Sequence, residues 1–294
     1  MDNNLEGIRY KPVKFALISL SLIFFLYQII GGGIIALLFG VSPRADQTNI
    51  FRFATLTGQF LFILIPAYFL SKLQTKDWKK LLKIKRTEFY YIGLSIIGVI
   101  ALEQLLEIYL YFQDMIPLPV NIRQIVDALQ QTIDQTYKVL IHAGSLQEFL
   151  LVLLIVAVTP AICEEFLFRG LVLGNFEQSM SKRKAIFWTG LIFGFYHVNP
   201  FSLVALVVLG IYLSYLASET GSILVPITAH FTNNFISALI YFVSGKDSLI
   251  DSSEGQKINN IYIIVLAVML TTIFIWTLKR IRERRLDTNQ EDEI

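Results

Sequence analysis

Apolar residues in this chain do not alternate with polar ones at strand spacing; they come in long runs separated by short polar and basic stretches. Runs near eighteen residues or longer predict membrane-spanning helices. They cover 15–41, 53–70, 89–112, 149–174, 201–217, 223–243 and 261–278, and a shorter run at 185–198 ends at Asn199-Pro200. The pattern predicts an all-α, polytopic membrane protein with about eight transmembrane helices. The lysine-rich stretch 72–86 predicts an interfacial amphipathic helix on an anionic leaflet. Within the polar segment 113–147, Pro117 and Pro119 break the preceding helix. Ile125, Leu129, Ile133 and Tyr137 then recur at i+4, predicting an amphipathic helix outside the bilayer core. Three regions follow: 1–147 with three spans and an interfacial helix, a core at 148–243, and a last span with a basic tail at 244–294.

Composition agrees, with 54% hydrophobic residues and a mean hydropathy of +0.59. The net charge of +2 says little by itself, because the basic residues are distributed by topology, and no nucleic-acid partner is expected. With eight spans and an inside N-terminus, eighteen of the 25 Lys and Arg residues fall in inside segments and six outside. The positive-inside rule then predicts a multi-pass cell-membrane protein with both termini cytoplasmic. The basic start and first apolar run read as a retained anchor, because the run is too long for a signal-peptide core. Cys163 is the single cysteine, so no intrachain disulfide forms, and a lone cysteine in apolar surroundings reads as packing before nucleophile or ligand.

The remaining Arg169 lies inside a span, in the stretch Thr159-Pro-Ala-Ile-Cys-Glu-Glu-Phe-Leu-Phe-Arg-Gly170, together with Glu164 and Glu165. Each such charge costs about 2.5–3.5 kcal/mol at a helix centre, so something must offset three of them. Glu165 and Arg169 stand at i, i+4 and predict a structural ion pair. Glu164 points about 100° away around the helix and stays unbalanced, which marks it as a functional candidate. Two of the three histidines also sit in apolar helices: His197, at i+4 from Phe193, and His230, at i−4 from Asn234. At about 1.5 Å of rise per residue, Glu164, His197, His230 and Asn234 reach roughly 15, 18, 10 and 17 Å from the cytoplasmic side, one shared layer. His142 falls in the polar outside segment, and Glu103 and Glu107 read as a polar helix end.

A carboxylate beside an imidazole can deprotonate a water, and a second imidazole with a carboxamide can stabilise an oxyanion. Such a set suits peptide hydrolysis without a serine or cysteine nucleophile. The alternative is zinc held by Glu164, His197 and His230, although the compact H-E-x-x-H arrangement is missing. A non-enzymatic transporter or immunity protein is a further alternative, but a transporter would more naturally show repeated halves, and no repeat is visible.

Three motifs, Glu-Glu-x-x-x-Arg at 164–169, Phe-x-x-x-His at 193–197 and His-x-x-x-Asn at 230–234, resemble those of the CAAX protease and bacteriocin-processing family. That family, also called Abi, includes the type II CAAX endopeptidase. The order and spacing match over about 148–243. The resemblance implies an eight-helix intramembrane protease of the glutamate type, with a site open to the cytosol and peptides or membrane proteins as substrates. It implies that Glu164 activates water with His197, that His230 and Asn234 form an oxyanion hole, and that Glu165, Arg169 and Phe193 support them. No metal cofactor is favoured, with zinc as the alternative. In a bacterium it implies bacteriocin maturation, self-immunity or regulated proteolysis in preference to CAAX processing.

Overall fold

The computed structural model describes residues 5–40, 45–245 and 260–291. Its principal helices are α1 (Pro12–Phe39), α2 (Thr48–Gln74), α3 (Phe89–Asp114), α4 (Val120–Ile141) and α5 (Leu146–Glu177). They continue with α6 (Lys182–Tyr196), α7 (Leu203–Thr220), α8 (Leu224–Ser244) and α9 (Asn260–Glu291). Among the described residues there is no strand. The chain is an all-α polytopic membrane protein. By length and composition six helices can cross a bilayer, namely α1, α2, α3, α5, α7 and the α9 segment. Helix α6 has 15 residues. At about 1.5 Å per residue it is shorter than a hydrocarbon core of about 30 Å. Helix α8 is long enough, but Thr228, His230, Thr232, Asn233 and Asn234 dilute its apolar character.

Two apolar clusters hold the bundle. One joins Phe15, Ile23, Ile63 and Ala67 from α1 and α2 to Leu167, Phe168 and Leu171 of α5 and to Phe193 and Tyr196 of α6. The other joins Leu94 and Val99 of α3 to Leu213 and Leu216 of α7, Ala229 of α8 and Ile281 of α9. Lipid tails are as apolar as leucine, so close packing must supply the attraction between membrane helices, and small residues permit it. Gly190 shows this at the α6–α7 crossing. A Cβ there would stand 2.4 Å from Ile211 Cγ1 and 2.5 Å from its backbone nitrogen.

The ends of the core helices are pinned by polar contacts. Ser145 caps α5 by accepting from Glu148 N–H at 3.2 Å, while Glu148 accepts Gly144 N–H at 2.9 Å, a relative of the capping box. Glu148 also accepts from the fully buried Arg52 of α2 at 2.7 Å. Arg52 further donates to the carbonyls of Leu140 and His142, so one guanidinium closes the loop that enters α5. His142 itself is exposed.

Two expectations are corrected. The basic stretch 72–86 does not form an amphipathic surface helix, because α2 ends at Gln74 and beyond it only Trp78–Leu81 is helical. Leu81 and Leu82 are buried against Gly170 and Gly174 of α5, where a Cβ would come within 2.5 Å of Leu82 Cδ2 and of the Leu81 carbonyl. Burying two leucines in that groove outweighs extending a helix, and Lys83 at φ +54° stops it. The basic tail continues the last span as helix: α9 runs on to Glu291, and its Arg285 and Arg284 pair with Glu219 and Glu88 at 2.6 and 3.1 Å. Glu103 is not a polar helix end. It is buried, accepting from Ser237 of α8 at 3.0 Å. Helix α4 forms as the i+4 pattern predicts, and Ile125, Leu129, Ile133 and Tyr137 are all exposed along it.

Gly190→Val should lower stability by about 1–3 kcal/mol or prevent folding, since overpacking a tight crossing forces backbone shifts. Gly93→Ala, where a Cβ meets nothing within 4 Å, should leave the thermal midpoint in detergent unchanged or slightly raised. Equal midpoints for the two variants would contradict this picture of the crossing.

Candidate active site

The site begins with a proline. Pro160 has no N–H, so the Val156 carbonyl one turn earlier in α5 loses its regular helical donor. The helix widens to π pitch over Leu154–Val158 just before it. Asn234 of α8 supplies the missing hydrogen, its side-chain amide donating to Val156 O at 3.0 Å. A second π segment, Phe166–Val172, carries Arg169. Such bulges commonly occur at functional sites.

Glu165 and Arg169, both fully buried, pair at 2.7 Å as their spacing predicts. The pair is not closed on itself. Glu165 Oε1 also accepts from His230 Nδ1 at 2.8 Å, so one carboxylate oxygen joins α5 to α8. The second guanidinium nitrogen of Arg169 donates to the Gly210 carbonyl of α7 at 3.2 Å. The guanidinium lies 4.4 Å from the centroid of the Phe193 ring, a cation–π contact that brings in α6. Gly210 is required there, because a Cβ would come 2.9 Å from Phe193 Cδ1. Phe193 stands between the histidines, with ring centroids 4.5 Å from His197 and 6.1 Å from His230.

Glu164 faces the other way, toward His197, with Oε2 at 3.5 Å from Nε2. His197 Nδ1 lies 2.8 Å from the Phe193 carbonyl, which can only accept, so Nδ1 carries the hydrogen. In the neutral imidazole Nε2 is then an acceptor, set beside another acceptor. A water donating one O–H to each would satisfy both. The chain reverses directly after His197 with Val198 at φ +51°. That conformation costs a β-branched residue roughly 1–2 kcal/mol. Asn199 Oδ1 then accepts the N–H groups of Phe201 and Ser202 at 3.0 and 3.3 Å and starts α7.

The structure therefore brings Glu164 to His197, and Glu165 to both Arg169 and His230, with Phe193 at the centre. Asn234 meets the backbone of α5 and leaves its second amide hydrogen free of that bond. Cys163 is turned into the apolar cluster with no exposed surface. Among the described residues no three His, Cys, Asp or Glu side chains converge as a metal-binding set. Of the three zinc candidates, Glu164 and His197 adjoin, while His230 gives Nδ1 to Glu165 and keeps its other ring nitrogen. The bond from His230 to Glu165 and the carbonyls of Val156 and Gly210 were not foreseen from the residue pattern. Pro160 was the one available signal for the first carbonyl.

Residues 146–236, from the start of α5 to the middle of α8, match the family model described as Rce1-like: Type II CAAX prenyl endopeptidase Rce1-like. The match covers less than half of the chain and supports a CAAX-protease assignment for this segment, a family of hydrolases of the endopeptidase class. No curated protein and no solved structure matches it.

Removing one partner of a buried ion pair costs about 3–5 kcal/mol, because the other charge stays buried alone. Arg169→Met should therefore lose that much stability in detergent unfolding. Glu165→Gln combined with Arg169→Met should recover part of it. A single Arg169→Met variant as stable as the parent would show that the pair is not needed for folding.

Proposed function

We propose that the chain is a glutamate-type intramembrane endopeptidase that cuts peptides or membrane-protein segments close to the cytoplasmic face. The observation that carries the reading is the Glu164–His197 pair, 3.5 Å apart, with the Nδ1 hydrogen of the imidazole held on the Phe193 carbonyl. A water bound there gives its proton to Glu164, and its oxygen attacks the carbonyl carbon of the scissile bond. The carbonyl π electrons move onto oxygen. That oxyanion is met by the second amide hydrogen of Asn234 and by His230 in its doubly protonated form, which gives Nδ1–H to Glu165 and Nε2–H to the oxyanion. Collapse of the tetrahedral intermediate re-forms the carbonyl and expels the amine, which takes the proton from Glu164. Glu165, Arg169 and Phe193 hold the imidazoles in place.

In this reading no step is assigned to a metal. The distribution of basic residues supports a cell-membrane protein with both termini in the cytoplasm, which puts the layer of site residues nearer that side. Substrates of this site are peptides or membrane proteins, and the site residues do not demand a prenyl group.

Glu164→Gln keeps the shape and removes the base. General-base catalysis is worth about 10²–10⁴-fold, so cleavage should fall by at least about 100-fold while membrane level and thermal midpoint hold. The assay compares membrane peptides, by mass spectrometry, in cells carrying the intact chain or the variant. Normal cleavage by Glu164→Gln would end the enzymatic reading as written. Purified protein should keep its activity after chelation. Activity lost to a chelator and restored by zinc would instead require a metal mechanism.

A further inference from the structure

A carboxamide that stabilises an oxyanion works in only one of its two orientations. Turned by half a turn about its last side-chain bond, the Asn234 amide would present oxygen to the developing charge and repel it. The two ends of the group are nearly equal in size, so shape does not choose between them; hydrogen-bond partners do. The nitrogen is fixed by the Val156 carbonyl at 3.0 Å. The oxygen has a partner of its own, because Asn233 Nδ2 donates to Asn234 Oδ1 at 3.2 Å. Reversing the amide would spoil both contacts at once, setting oxygen against oxygen at Val156 and one NH₂ against another at Asn233.

Side chains at i and i+1 on a helix point about 100° apart and do not ordinarily face each other. Asn233 therefore reaches around α8 to meet its neighbour, and the turn that carries it is tied down. Ser237 Oγ lies 3.2 Å from the Asn233 carbonyl and 3.0 Å from Glu103 Oε1 of α3, so its single hydrogen is shared between two acceptors. Glu103 is 8% exposed inside a span. An ionisable group in such a place is costly, and the hydrolytic steps give Glu103 no role. Its bond to Ser237 supplies one, since it fastens α3 to the part of α8 that bears both asparagines. The contacts run from Glu103 to Ser237, on to the Asn233 backbone, and from the Asn233 side chain to Asn234.

We infer that Asn233 is a positioning residue of the oxyanion site, holding the Asn234 amide with its nitrogen toward the scissile carbonyl, and that Glu103 and Ser237 anchor the turn from which it acts. The inference deepens the peptidase reading and rests on it. It also gives α3 a part in the site, although Glu103 lies outside the matched segment 146–236.

The test uses the full chain in detergent and an internally quenched peptide, made from a segment whose cleavage depends on Glu164 in the membrane comparison. The oxyanion develops only along the reaction, so a misoriented amide should lower kcat and leave KM unchanged. Asn233→Leu, similar in size but without the donor, should lower kcat about tenfold or more, since small misplacements at a reacting centre cost up to about 100-fold. Asn233→Gln, which keeps an amide donor, should recover most of the lost rate, and an equal loss in both variants would overturn the inference. The sharper readout is a cycle with Asn234→Ala. Because Asn233 acts through Asn234, adding Asn233→Leu to Asn234→Ala should lower kcat no further, a result that a merely structural role would not give. The same fold-loss in both backgrounds would overturn the positioning role. Should Asn233→Leu fold poorly, Ser237→Ala takes its place in the cycle, with the same two outcomes. Glu164-dependent cleavage with unchanged kcat in Asn233→Leu would sink this inference only, whereas cleavage indifferent to Glu164→Gln would sink the peptidase reading.

Discussion

One carboxylate oxygen organises this molecule. Glu165 Oε1 accepts from Arg169 and from His230 at once, in a place with no exposed surface. A charge buried in an apolar bundle is tolerable only when it is paired and hydrogen-bonded. Each of the three groups is therefore held by the others. Arg169 reaches on to the Gly210 carbonyl and the face of Phe193, so α5, α6, α7 and α8 all close on one ionic centre. The adjacent Glu164 is left outside that network, facing His197. Two neighbouring carboxylates thus have different environments: one is consumed by the ion pair, and the other faces a histidine.

Irregular backbone surrounds this centre. Helices α1, α2 and α5 all widen to π pitch at the level of the site, and α6 ends there on a strained residue. In a membrane a backbone carbonyl that loses its partner must find another inside the protein. The carbonyl freed by Pro160 finds Asn234, which converts a helix defect into an interhelical bond. The cost of irregularity is offset by bonds that also orient site residues.

Much of this was legible in the residues. The apolar runs marked the helices, because a bilayer demands long uninterrupted spans. The i, i+4 spacing of Glu165 and Arg169 gave their pairing, and three short motifs pointed to the segment that the family model matches. What escaped was tertiary. Nothing in the spacing of His230 says that it turns to Glu165 instead of Glu164, since adjacent carboxylates are distinguished only by helix rotation. The lysine-rich stretch 72–86 read as a surface helix, yet Leu81 and Leu82 enter a groove opened by Gly170 and Gly174 ninety residues away. Glu103 read as a helix end because its partner, Ser237, lies on a distant helix.

The account depends on Glu165 acting as the shared acceptor that ties His230 to the ion pair. A double-mutant cycle between Glu165→Gln and His230→Ala, read as unfolding free energy in detergent, measures that link directly. Residues in one buried network couple by about 0.5–3 kcal/mol, and the cycle should fall in that range. A coupling indistinguishable from zero would mean that the two side chains do not share the bond on which the site is built.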